Sequence, residues 1–186
     1  MHRLFVAIRP PATIRSQLLG LLHGVRGARW QDDDQLHLTL RFIGEVDRHR
    51  ATDVAAALGG IHHPAFAIAL NGIGQFERRG KGTLWAGVTP HDALRRLHKK
   101  IDQACLRVGI AADTRAYHPH ITLARVGRDS GPIDPFVLVT GGLSSAPFPI
   151  DWFGLYESEL TPNGAVYSIV ERYPLDSAQA ERTLGA

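Results

Sequence analysis

Two short stretches of this chain carry the same pattern, His-apolar-Thr-apolar: His37-Leu38-Thr39-Leu40 and His120-Ile121-Thr122-Leu123. In a strand, side chains two apart share a face, so each stretch would present an imidazole beside a hydroxyl, with its apolar residues packed behind. Two such pairs facing each other suit in-line displacement at phosphorus. One imidazole takes a proton from the entering oxygen, and the other gives one to the leaving oxygen. An ordinary histidine pKa of about 6.5 lets one ring be neutral and the other protonated near neutral pH. The threonine hydroxyls and a nearby arginine can meet the non-bridging oxygens. No metal is required.

Chance is a poor account of the pair. With 10 histidines and 44% apolar residues, about 0.1 occurrences of the pattern are expected at random, and two occurrences about 0.005 of the time. A bland reading, in which each histidine caps a strand and bonds locally, loses further ground to what surrounds the motifs.

The elements before the two motifs follow one order. Leu4 to Ile8 reads as a strand, Pro10-Pro11 as a boundary, and Ile14, Leu18, Leu21 and Val25 as a helical stripe before the strand His37 to Ile43. Thr83 to Val88, Pro90, and the stripe Leu94, Leu97, Ile101, Ala104 and Val108 then lead to the strand His120 to Val126. Leu4-Phe5 and Leu84-Trp85 are offset by 80 residues (84 − 4), and the histidines by 83 (120 − 37). That order implies an internal duplication whose halves could face each other by approximate two-fold symmetry. Ala51 to Leu58 reads as a helix. Phe66 to Leu70, ending at Asn71-Gly72, reads as a strand, as do Phe136 to Thr140, Trp152 to Leu160 and Ala165 to Tyr173. Thr161-Pro162-Asn163-Gly164 has hairpin chemistry. The expected organisation is one domain, 1–175, with a frayed tail over 176–186.

Length and composition agree with one globular unit: 186 residues, 21% charged and 44% apolar. No apolar run approaches the roughly 20 residues that cross a bilayer, and the amino terminus lacks a signal-peptide pattern, so a cytoplasmic location is expected. The single cysteine, Cys105, falls on a helical core position and reads as packing. A net charge of +3 favours a polyanionic partner without establishing one.

At the motif residues the chain resembles a LigT-like member of the 2H phosphoesterase superfamily, within it the RNA 2′,3′-cyclic phosphodiesterases also called 2′-5′ RNA ligases. The resemblance runs through Arg3 to Ile8, Leu36 to Glu45 and Tyr117 to Arg125. It implies an α+β fold, bilobal, with two antiparallel sheets, helices outside and a central cleft. It also implies hydrolysis of a terminal 2′,3′-cyclic phosphate to a 2′-phosphate, with His37 as proton donor and His120 as proton acceptor. The residues alone leave those two roles interchangeable. No cofactor is implied, and a monomer acting on RNA ends is expected. Ligation would be the reversal, an RNA 5′-hydroxyl replacing water, without ATP. The rival readings are a binding module without turnover, and a 2H enzyme for a small cyclic nucleotide, an ADP-ribose cyclic phosphate or a 2′-5′ oligoadenylate.

Other residues carry two readings each. Arg125 matches a family arginine that contacts phosphate, yet strict alternation from His120 puts it on the opposite face, so the strand bends there or Arg125 packs. Arg41 lies on the His37 face by alternation, as an anion contact or a solvated arginine. Phe5, Phe42 and Tyr117 could stack on a base, with core packing the rival reading for Phe5 and Phe42, and Phe76 is a further stacking candidate. Phe76 to Lys81 could be a flap on the RNA backbone or an ordinary hairpin tip. Gly80-Lys81-Gly82-Thr83 fails as a P-loop because glycine follows the lysine, so no ATP site is expected. His118 and His120 have a metal-binding spacing without further ligands nearby, and no metal is expected. Asp32 to Asp34 reads as a solvated turn, and His62, His63, His91 and His98 as surface.

Overall fold

A computed structural model of the chain describes residues 1–78, 80–162 and 164–177. In chain order its elements are β1 (His2–Ile8), α1 (Ala12–Leu19), β2 (Arg29–Trp30), β3 (Leu38–Val46), α2 (Arg48–Gly59), β4 (Phe66–Arg78), β5 (Lys81–Thr89), α3 (Asp92–Arg107), β6 (His120–Val126), α4 (Asp134–Thr140), β7 (Phe148–Ile150), β8 (Trp152–Thr161) and β9 (Gly164–Pro174).

The α+β class holds, and the named strands pair antiparallel throughout. The expected two sheets are instead joined. One pairing, Leu38 with Ile121, links β3 to β6 and makes a continuous path β7-β4-β5-β6-β3-β1-β8-β9, with β2 also on β6. Once β3 has paired with β1 and β6 with β5, each motif strand keeps one free edge, and the two edges meet at their first residues.

Behind this junction lies the core. Leu38, Leu40, Ile121 and Leu123 are all buried, in one cluster with Leu94, Leu97, Ile101, Ala104 and Cys105 of α3. The helical spacing of the α3 residues gives that helix a single apolar stripe, which fixes which side meets the sheet. Asp47 caps α2 by accepting from the Arg50 amide at 2.8 Å, and Pro11 stands before α1, where a missing N–H costs no helical bond.

Several expected boundaries move, for local reasons. Phe136 to Thr140 forms the end of α4 instead of a strand. Five apolar residues carry no decisive period, and Asp134-Pro135 supplies a helix start. β4 does not stop at Asn71-Gly72. Gly72 adopts φ 75°, and the register to β5 shifts between Leu70 and Ile73, so the glycine makes a bulge and the strand runs on to Arg78. Phe76 and Lys81 therefore lie within strands, and Arg79 of that segment lies outside the described residues. β2 and β7 are too short to show a period. The Thr161 to Gly164 hairpin is present, with Thr161 paired to Gly164, while Asn163 lies outside the described residues. Asp176 is tied in by its amide to His63 O at 2.9 Å, so Asp176 itself is held against the domain, contrary to the expected start of the tail. Residues 178–186 of the expected tail lie outside the described residues.

Candidate active site

The Leu38–Ile121 pair is the local centre of the site. Counting outwards along an antiparallel pair places His37 across from Thr122 and Thr39 across from His120, all four on the face opposite the buried leucines and isoleucine. This is the two-fold arrangement the duplicated motifs call for, built at a strand crossing.

Each imidazole is locked in the same way. His37 Nδ1 lies 2.7 Å from the carbonyl oxygen of Gln35, and His120 Nδ1 lies 2.6 Å from that of His118. A carbonyl only accepts, so Nδ1 carries the hydrogen in both rings and Nε2 is left for chemistry. Aromatic rings flank each histidine. Phe5 and Tyr167 stand 5.0 and 5.2 Å from His37, and Phe76 and Trp85 stand 5.1 and 6.0 Å from His120. Tyr167, on β9, escapes sequence reasoning because that strand lies far along the chain and has no motif of its own.

A bulge follows each threonine. Val6 pairs with Arg41 and Ala7 with Thr39, leaving out Leu40, while Leu84 pairs with Ala124 and Trp85 with Thr122, leaving out Leu123. An extra residue inverts the alternation beyond it. Arg125 thereby turns onto the His120–Thr122 side and is exposed, which answers the conflict between family pattern and strict alternation. Arg41 turns inward for the same reason, contrary to the expected anion contact. It is 4% exposed, with Nε 2.8 Å from Asp102 Oδ1 on α3 and Nη1 3.7 Å from Asp113. Nη1 also donates to Phe42 O at 3.0 Å, and Nη2 donates to Ala111 O. Arg41 is therefore part of the core.

Burial among these rings shapes both histidines. His37 is pushed down to about 4, first by desolvation and then by the charges of His120 and Arg125, against the pull of the Gln35 carbonyl. His120 is also held below its ordinary value, by desolvation first, with the His118 carbonyl opposing and the charges of His118 and Arg125 adding. Both rings are thus neutral near neutral pH in the free protein. The expected neutral and protonated pair is not pre-set, because apolar walls and Arg125 both disfavour a cation. A bound phosphate would supply the missing negative charge.

The aromatic candidates separate. Phe42 is 49% exposed, 6.1 Å from Phe5, with the Arg115 guanidinium carbon 6.0 Å from its ring centre. Phe76 is exposed and touches His118 and His120 edge-on. Tyr117 stacks on His98 of α3 at 4.0 Å and 8°, with its hydroxyl buried and without a hydrogen-bond partner among the described residues, so it packs against the helix and offers no base platform. Desolvation drives that hydroxyl's pKa up. His98 is accordingly half-buried and His63 buried, not surface residues. His91 is half-buried too, its Nε2 2.7 Å from Val88 O, while His62 is exposed.

Asp32 to Asp34 is a solvated turn, as expected, and it is also held by specific bonds. Asp32 and Gln35 cap each other, and Asp33 lies 2.8 Å from both Arg9 and Arg15. The turn fixes Gln35, whose carbonyl orients His37. Among the described residues no three His, Cys, Asp or Glu side chains are placed to hold a metal ion, and no helix is long and apolar enough to cross a membrane.

Strand order, crossing motifs and paired imidazoles define a phosphoesterase-like site, and comparison gives the family. Residues 11–161 match the 2'-5' RNA ligase superfamily, and the chain belongs to it. It is 30% identical to an RNA 2′,3′-cyclic phosphodiesterase of Archaeoglobus fulgidus, covering 89% of this chain and 96% of that one. Identity to the Escherichia coli protein of the same name is also 30%, over 94% and 97%. A Geobacillus stearothermophilus relative of that name is 31% identical, and the match spans 50% of its length. The crystal structure of E. coli LigT without ligand has a TM-score of 0.76 at 29% identity, covering 94% of this chain and 97% of that one. LigT has also been solved with 3'-AMP, with ATP and with NADP+.

Proposed function

We propose that the chain hydrolyses the 2′,3′-cyclic phosphate at RNA ends to a 2′-phosphate, with His37 and His120 as metal-independent acid and base. The observation that carries this reading is the matched locking of both rings through Nδ1, which leaves two Nε2 atoms on either side of one strand crossing. Water attacks phosphorus and the bond to the 3′ oxygen breaks. His120 Nε2 takes the water proton, and His37 Nε2 delivers a proton to the departing oxygen. Free His37 has no proton on Nε2 to give. The anionic substrate raises its pKa and recruits one, so the acid is completed by binding. Thr39 and Thr122 donate to the non-bridging oxygens, and Arg125 neutralises charge that grows in the transition state.

Phe42 and Phe76, exposed at either side, receive bases. Acid and base come from one chain, which supports a monomer, and residues 1–175 act as a single bilobal unit. The strained cyclic ester already stores the energy of the reaction, so no ATP-consuming step is invoked. Complexes of LigT with ATP and NADP+ fit a cleft that accepts nucleotides as ligands. A cytoplasmic location accords with an RNA substrate. The relatives' shared name supports hydrolysis over ligation.

The test is a short RNA ending in 2′,3′-cyclic phosphate, incubated in EDTA with wild type, His37→Ala and His120→Ala. The expected result is a 2′-phosphate from wild type and almost nothing from either variant. Full activity in both variants, or loss of wild-type turnover in EDTA, would overturn the mechanism. A 3′-phosphate product would exchange the two roles, and binding without turnover would favour a binding module.

A further inference from the structure

Beyond the reacting phosphate, the sheet carries two arginines side by side. Arg29 of β2 pairs directly with Arg125 of β6 in antiparallel register, so their side chains leave on one face. Both are exposed, and neither lies within 4.0 Å of a carboxylate among the described residues. Like charges directly opposite each other weaken a strand pair, which is a cost without return unless an anion sits between them.

The placement is built, not incidental. Trp30, opposite Ala124, turns to the other side and packs on Phe136 at 5.3 Å. The Gln31 amide donates to Leu123 O at 2.8 Å, and the Gly131 amide to Arg26 O at 2.8 Å, so the segment around Arg29 is pinned on both sides. Trp30 anchors the strand and thereby aims Arg29 at the face that holds His120. The Tyr167 hydroxyl reports the proximity of the group. Desolvation raises it, Arg125, Arg3 and Arg29 oppose, and Asp32 adds to the rise.

The register continues across the sheet. Phe76 pairs with Thr83, Thr83 with Arg125, and Arg125 with Arg29, forming a row one step outward from the row of Trp85 and Thr122. Rows on one face stand roughly 7 Å apart, about one nucleotide of an extended strand. We propose that Arg29 binds the phosphodiester preceding the cyclic end, standing beside Arg125 in the row next to the reacting phosphate, so that the site is fitted to an RNA strand over a mononucleotide. This rests on the cyclic phosphodiesterase reading.

The experiment compares kcat/KM for a pentanucleotide and a mononucleoside bearing the same 2′,3′-cyclic phosphate, in wild type, Arg29→Gln and Arg107→Gln. Arg107 is exposed on the outer helix and controls for loss of charge alone. In Arg29→Gln the pentanucleotide-to-mononucleotide ratio should fall about tenfold, the scale of one charge-assisted hydrogen bond. The slope of log KM for the pentanucleotide against log salt should shrink by about 0.7, the value for one contact to a single strand. An unchanged ratio, or an equal fall in Arg107→Gln, would overturn the subsite. If wild type turns over neither substrate, the cyclic phosphodiesterase reading fails. Fluorescence anisotropy of a labelled pentanucleotide ending in 2′-phosphate then decides separately: affinity and salt slope unchanged by Arg29→Gln would sink the proposal, and both lowered would support it.

Discussion

Strands β3 and β6 share a threonine and a bulge, with a histidine just before β3 and at the start of β6, and part company at the two residues past the bulge. Past Leu40, β3 turns Arg41 into the core and Phe42 outward. Past Leu123, β6 turns Ala124 into the core and Arg125 outward. Identical backbone geometry therefore gives an arginine opposite duties, set by whether it stands one or two places beyond the bulge. Partners follow from the same choice. Arg41 needs Asp102 on α3, whereas the small Ala124 leaves room for Trp30, which holds β2 and Arg29 in place. The two halves are alike at the histidines and threonines proposed to act on the phosphate and differ in the residues just beyond the bulge.

If the likeness of the halves is functional, the largest effects are at the histidines. His37→Asn and His120→Asn should each lower kcat about 10²- to 10⁴-fold, the range of a general acid or base, with thermal unfolding little changed. The double variant should be scarcely worse than either single one, because acid and base act as a unit. Losses that multiply would mean the two rings work independently.

The difference between the arginines predicts a crossed result. Arg125→Ala should cut kcat/KM roughly 100-fold, as for removal of a transition-state donor, and leave unfolding nearly unaltered. Arg41→Ala should destabilise by about 3 kcal/mol, near the lower end for breaking a buried ion pair because Asp102 keeps some water contact. Its folded fraction should retain near-normal turnover. Chemical denaturation and steady-state rates on both variants check this, and the reverse assignment would refute the bulge argument.

The aromatic residues differ in the same sense. Phe42→Ala should raise KM roughly 5- to 150-fold, the loss of about 1–3 kcal/mol from one stacked base. Tyr117→Phe should leave KM unchanged, since the ring stack on His98 survives. An equal rise in KM for both would return Tyr117 to the cleft.

The motif pair was legible in the sequence because chemistry and strand period coincide at His37, Thr39, His120 and Thr122. So were α3 and the β8–β9 hairpin, from a long stripe and a turn rich in special residues. Arg41 was not, because alternation holds only between bulges, and no residue type announced a bulge at Leu40 or Leu123. Tyr167, Arg29 and the pairing of Asp33 with Arg9 and Arg15 were hidden for another reason. Each owes its place to a partner far along the chain, and β2 is two residues long. The 80-residue offset of Leu4-Phe5 from Leu84-Trp85 also proved approximate. By register Ala7 matches Trp85, since they oppose Thr39 and Thr122, which makes the local offset 78 (85 − 7).

Protonation gives a smaller effect. Folded His37 refuses a proton that the unfolded chain accepts once pH drops below the ordinary 6.5. The unfolded state then binds more protons, so stability should fall as pH is lowered from about 6.5 towards 4 and level off below. His37→Gln should flatten that part of the profile in denaturation midpoints. An unaltered slope would mean that His37 is not desolvated as the Phe5 and Tyr167 contacts imply.

The smallest predicted effect separates acid from base. The carbonyl that orients His37 belongs to neutral Gln35, whereas the one that orients His120 belongs to His118, whose ring centre lies 6.1 Å from that of His120. Around His120 the other charged or titratable neighbours are Arg125 and His37, while Phe76 and Trp85 carry no charge. Charge on His118 lowers the pKa of His120, so His118→Gln should raise it, with the backbone lock intact. For a general base, which must be neutral, that moves the acid limb of kcat/KM to higher pH. For a general acid it would move the alkaline limb instead. Movement of the acid limb supports His120 as base, and movement of the alkaline limb reverses the assignment. Gln35→Asn, changing the equivalent position beside His37 without altering charge, should move neither.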